Sequence, residues 1–85
     1  MTNNINTIRE KVKSYILQSV HVEKDKISNN SLIFKEGYID SMGFIMLITF
    51  MEDEFAINTV DEDLVEENFE SINAISDFIY KKRQD

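Results

Sequence analysis

Eighty-five residues make one domain, near the small end of what folds without staples, and the absence of cysteine excludes disulfides and thiolate metal sites. Sixteen acidic residues against nine basic ones leave a formal net charge of −7. That balance argues against nucleic acid, because no basic stripe is present to neutralise phosphates, and it favours basic protein partners reached by electrostatic steering.

The N-terminus, MTNNINTIRE, is polar and has no apolar h-region. The longest apolar run, residues 44–51, includes a threonine and is far too short to span a bilayer. The expectation is therefore a soluble, cytoplasmic, monomeric domain over residues 1–85, with no membrane insertion.

Ile5, Ile8, Val12, Ile16 and Val20 recur at helical spacing, with Tyr15 beside the stripe. Asn4 is the expected N-cap, Thr7 with Glu10 offers an alternative capping-box start, and the helix should end between Gln18 and Val20. From His21 to Tyr38 the periodicity lapses into a long loop rich in turn formers and closed by Gly37. A connection of that length is unusual unless it works or is anchored, and Ile27, Leu32, Ile33 and Phe34 are the expected anchors. A second helix is predicted from Ser41 to about Phe55, with Phe44, Ile45, Leu47, Ile48, Met51 and Phe55 on its core arc. Met42, Met46 and Phe50 fall on a different face and form a candidate docking ridge.

Ile57 and Val60 then lead into DEDLVEENF, where Asp61 is placed to cap a short helix and Leu64 to pin it inward. Ser71 is the expected N-cap of a last helix that buries Ile72, Ile75, Phe78 and Ile79. Lys81, Lys82 and Arg83 stand at its C-terminal end, where cations are favoured. With no convincing strand, the prediction is an all-α fold: a small four-helix bundle of three longer helices and one short one, with a long first loop.

Charge is segregated along the chain. No lysine or arginine lies between Lys35 and Lys81, and most of the acids fall in that interval. A solvated face is one reading of this pattern and a docking face for cationic partners is the other, with Glu52, Asp53 and Glu54 on the second helix as candidate contacts. Acid clusters such as Asp61-Glu62-Asp63 lack a calcium-loop pattern, so no metal site is expected.

Ser41 is the residue with the most chemistry to explain. As a nucleophile it would need a base. The only histidine, His21, is in the loop, and residues 39–43 do not form a G-x-S-x-G elbow. A helix cap is the simplest reading of an Asp-Ser pair before an apolar run. The third reading is a serine that carries a phosphodiester-linked group, stabilised by the free amides of a helix N-terminus.

Asp40-Ser41-Met42 followed by Ile45, Leu47, Ile48 and EDEFAI resembles the Asp-Ser-Leu segment and second helix of acyl carrier proteins. NNSLIFKEGYIDSM upstream is similar to that family's first loop, and VDEDLVEENFESINAISDFI downstream to its short third and final helices. The resemblance runs through essentially the whole chain in order. It implies that Ser41 receives 4′-phosphopantetheine from coenzyme A through a phosphopantetheinyl transferase, with Asp40 assisting the magnesium-dependent transfer and Met42 flanking the attachment point. The arm's thiol would hold acyl or aminoacyl groups as thioesters, loaded by a ligase and passed to synthase or transferase enzymes. The carrier itself would not be an enzyme. A D-alanyl or aminoacyl carrier serving a dedicated ligase is one alternative, and a small helical interaction module without a prosthetic group is another. Gly43 and Met46 stand where many fatty-acid carriers have acids, Met42 replaces the commoner leucine, and Val60 stands where the family often has proline.

Overall fold

The computed structural model describes residues 4–20 and 23–84; His21 lies outside them. Four α-helices follow in order: α1 (Ile5–Ser19), α2 (Ser41–Phe55), α3 (Glu66–Phe69) and α4 (Ile72–Gln84), with 3₁₀ turns at Lys24–Lys26 and Asp61–Asp63. The predicted helical bundle of three longer helices and one short one is the observed fold. Asn4 caps α1 by accepting the Asn6 amide at 2.7 Å, and Thr7 lies inside the helix rather than at its start. Ser71 Oγ accepts the Ala74 amide at 3.1 Å at the head of α4, as its position suggested.

One core joins these elements. Ile8, Val12, Ile16 and Val20 of the first stripe are buried, while Ile5 is half-buried. They meet Leu47, Met51 and Phe55 of α2 and Ile72, Ile75 and Ile79 of α4. A chain of edge-to-face rings, Phe34–Phe44–Phe69–Phe78, ties the long loop through α2 and α3 to α4, with centroids 5.1 to 5.5 Å apart. Such pairs contribute about 0.5–1.5 kcal/mol each beyond the area they bury.

The long loop is anchored at two levels. Ile27 and Ile33 are fully inside, whereas Leu32 and Phe34 are half-buried. Its backbone is also tied to the last two helices. The Ile33 amide donates to the Glu70 carbonyl at 3.0 Å, and the Asn73 amide to the Asn29 carbonyl at 3.0 Å. The Ile33 carbonyl in turn accepts both the Tyr38 and Ile39 amides, and Gly37 takes the left-handed φ of +84° that this tight return requires. The loop is therefore folded to deliver Asp40 and Ser41 to a fixed place.

Three expectations about packing fail. Ile45, placed on the core arc, is 61% exposed. Leu64, expected to point inward, is 45% exposed, because the strap after the 3₁₀ turn is held by Phe69 and not by Leu64. Asp61 caps nothing; the carboxylate of Asp63 accepts the Val60 amide at 3.0 Å instead.

α2 ends on Ala56, which has φ 56° and ψ 45° in the left-handed region. An alanine there is strained by its Cβ, where glycine is not. Ala56→Gly is therefore expected to raise stability by about 0.5–1 kcal/mol, the relief of strain exceeding the extra unfolded-state freedom of glycine. Chemical denaturation of the two proteins checks this, and an unchanged or lower midpoint would refute the strain.

Candidate functional site at the head of α2

Asp40 is the N-cap of α2. Its Oδ1 accepts the Gly43 amide at 2.9 Å, and its carbonyl accepts the Phe44 amide at 2.9 Å. Ser41 is thus the first helical residue and not the cap. It is exposed, and among the described residues its hydroxyl has no hydrogen-bond partner. The first-turn amides of Ser41 and Met42 remain available beside it, so the hydroxyl sits in the positive field of a 15-residue helix.

Gly43 explains how the turn closes. A Cβ at that position would come 2.7 Å from the Cγ2 of Ile39, which is buried under the head of the helix. The methyl that meets it sits on a branched, packed side chain with restricted rotamers, so it gives way only at a cost. A larger residue at 43 would have to displace Ile39 from the wall beside Ser41.

An open groove of about 520 Å³ begins at Ser41. One wall is Phe34, Ile39 and Phe44; the other is the strap residues Leu64, Val65 and Phe69, with Asp40 and Glu66 at the rim. A second concavity, of about 410 Å³, lies on the other side of the helix head between Tyr15, Tyr38, Met42 and Met46.

The candidate partner face divides into exposed and engaged residues. Met42 and Met46 are 67% and 60% exposed. Phe50 does not belong with them. It is half-buried, its ring stacked on Tyr15 with centroids 4.1 Å apart and meeting Phe55 edge-on at 5.9 Å. Ile45 takes its place, giving Met42, Ile45 and Met46 on the outer side of the first two turns. Of the three acids, only Asp53 projects without an internal partner. Glu54 pairs with Lys11 at 3.0 Å, and Glu52 accepts both the amide and the hydroxyl of Thr59, at 3.0 and 2.9 Å.

Two carboxylates are tuned by such contacts. Hydrogen bonds from the Thr59 backbone and then its hydroxyl hold Glu52 below its ordinary value of 4.5. The Lys82 ammonium first, and the Val60 amide second, hold Asp63 below 3.8. Both pKa values are lowered in the fold, so the unfolded chain binds more protons in acid. Their contribution is complete above the ordinary values and is lost as pH falls through the lowered ones. Glu52→Gln and Asp63→Asn proteins should therefore show a shallower loss of melting temperature below pH 4.5 than the parent. Parallel curves would contradict the linkage.

The fold is a small helical bundle with an exposed serine on the first residue of α2, beside an apolar groove and under an acidic, partly apolar flank. The chain is 36% identical over 74 residues to an acyl carrier protein of Buchnera aphidicola subsp. Baizongia pistaciae (strain Bp), an alignment covering 87% of this chain and 92% of that protein. No family model matches the chain. On that similarity the chain belongs to the acyl carrier protein family. Among the described residues no helix is long and apolar enough to cross a membrane.

Proposed function

We propose that Ser41 is the attachment point of a 4′-phosphopantetheine arm, and that the chain is a non-catalytic carrier presenting acyl groups to partner enzymes of fatty-acid, polyketide or related biosynthesis. The observation that carries this reading is the placement of the Ser41 hydroxyl, exposed and unpaired on the first residue of α2. A phosphodiester there would be stabilised by the free amides and dipole of the helix, so the residues fit the group. The group supplies a terminal thiol on which cargo is held as a thioester. What the protein adds is position. Asp40 fixes the first turn through its Oδ1, leaving its second carboxylate oxygen free to assist a magnesium-dependent transferase.

The groove beside Ser41 favours acyl over aminoacyl cargo. Its walls are phenylalanine, isoleucine, leucine and valine, which reward an aliphatic chain by about 0.8 kcal/mol per buried methylene and offer little to an ammonium group. The partners are a phosphopantetheinyl transferase, then a loading ligase and downstream synthase or transferase enzymes. They would meet Met42, Ile45 and Met46 with Asp53 beyond them. The deciding experiment is intact mass after incubation with coenzyme A, magnesium and a broad-specificity phosphopantetheinyl transferase. A gain of one phosphopantetheine supports the carrier; an unchanged mass overturns it in favour of an interaction module without a prosthetic group.

A further inference from the structure

The wall of the groove formed by residues 61–69 is fastened to the rest of the molecule at its two ends. Between them it is held by its own backbone bonds, from the Val65 amide to the Asp63 carbonyl at 2.9 Å and from the Asn68 amide to the Val65 carbonyl at 3.1 Å. At the far end Phe69 is buried and the Glu70 carbonyl is tied to Ile33. At the near end everything converges on Asp63. Its Oδ2 accepts the Val60 amide at 3.0 Å and the Lys82 ammonium at 2.7 Å, and its carbonyl accepts the Asn68 side-chain amide at 2.8 Å. Between these ends Leu64 and Val65 are 45% and 43% exposed, and Val65, the residue before α3, offers that helix no side-chain cap.

Lys82 is well placed to hold such a point. It rises from α4, which the core fixes rigidly, with its ammonium 5.9 Å from the centre of the Phe78 ring. The pair's side chains are only 24% and 19% exposed, so salt screens it less than the open Lys11–Glu54 pair at 51% and 42%. It joins the strap to the bundle across 19 positions of sequence, from Asp63 to Lys82.

We propose that Asp63 and Lys82 form a latch that sets how far the Leu64–Val65 wall swings away from the groove beside Ser41. With the latch made, the wall is held against α4's frame and the groove keeps its apolar lining. With it broken, the strap turns on its Phe69 anchor and the groove opens. Asp63 is thus a positioning residue that acts on a bound apolar chain only through Leu64 and Val65. The latch does not depend on what Ser41 carries, so it can stand or fall separately from the carrier reading.

The test uses the full chain and two variants. Asp63→Asn keeps an oxygen for the Val60 amide but removes the charge, and Lys82→Met keeps an apolar stem over Phe78. Amide hydrogen exchange over residues 61–69 should speed by about tenfold in each, with α1 and the first turns of α4 unchanged, because local opening is governed by local contacts. The double variant should be no faster than either single one, since both remove the same pair. Binding of Nile red, a neutral apolar dye, should weaken in step as the groove loses its Leu64–Val65 wall. Exchange that is unchanged, or that speeds equally in every helix, overturns the latch, as does dye binding that fails to follow the exchange.

Discussion

Ser41→Ala is expected to abolish the mass gain with coenzyme A and transferase while leaving the fold as stable as before, or slightly more so. Helix α2 is capped by Asp40 and not by Ser41, so removing the hydroxyl breaks no hydrogen bond among the described residues. Alanine is also the better helix former, by a few tenths of a kcal/mol. A complete loss of modification with an unchanged melting curve would then be chemical and not structural. Asp40 supplies the contrast. Asp40→Ala should lower stability by about 1 kcal/mol through loss of the cap. Asp40→Asn should keep the cap but slow modification if the carboxylate charge assists the transfer. Modification that persists in the alanine variant at 41 would move the attachment elsewhere and defeat the assignment.

The elements of this fold were legible because each has a local cause. Asn4, Asp40 and Ser71 cap their helices within three residues of themselves, and the stripe from Ile8 to Val20 needs only period to be recognised. What could not be read was which apolar faces another element would cover. Ile45 shares an arc with Phe44 and Ile48, yet the element on that side is a four-residue helix whose strap leaves it open. Phe50 lies on a face that looks outward by period alone, but Tyr15 from α1 crosses over and stacks on it. Period describes one helix; cover depends on a neighbour thirty-five residues away.

The acids teach a related lesson. Glu52, Asp53 and Glu54 read alike in sequence as a block of negative charge. In the fold Glu52 closes the turn at Thr59, Glu54 pairs across to α1, and Asp53 is left facing solvent. Only the last has no partner within the fold among the described residues. Ser41 was the most legible part of the candidate site, because its neighbours in sequence are also its neighbours in space. The groove wall, built from residues 34–44 and 64–69, was invisible for the opposite reason.

Met46 and Met51, five residues apart on one helix, are expected to respond to the same substitution in opposite ways. Met51 is completely buried among the core helices. Met51→Glu places an unpaired carboxylate there and should cost about 3 kcal/mol or more, enough to unfold much of a domain this small at ordinary temperatures. Met46 is 60% exposed on the outer side of α2. Met46→Glu should therefore leave the melting temperature nearly unchanged, within about 0.5 kcal/mol of stability. Its effect should appear in loading. On the proposed carrier reading a partner reaching for a group on Ser41 would cross Met42, Ile45 and Met46, and methionine's adaptable thioether suits a surface met by several enzymes in turn. A carboxylate set into that contact should slow loading by the cognate ligase about tenfold, the cost of roughly 1.4 kcal/mol at an interface. The comparison must be made with Ile45→Glu, which lies toward the strap side of the same surface. If both slow loading, the ridge is the docking face; if only Ile45→Glu does, partners approach over α3. A Met46→Glu protein that melts normally and is loaded as fast as the parent would remove Met46 from the docking surface.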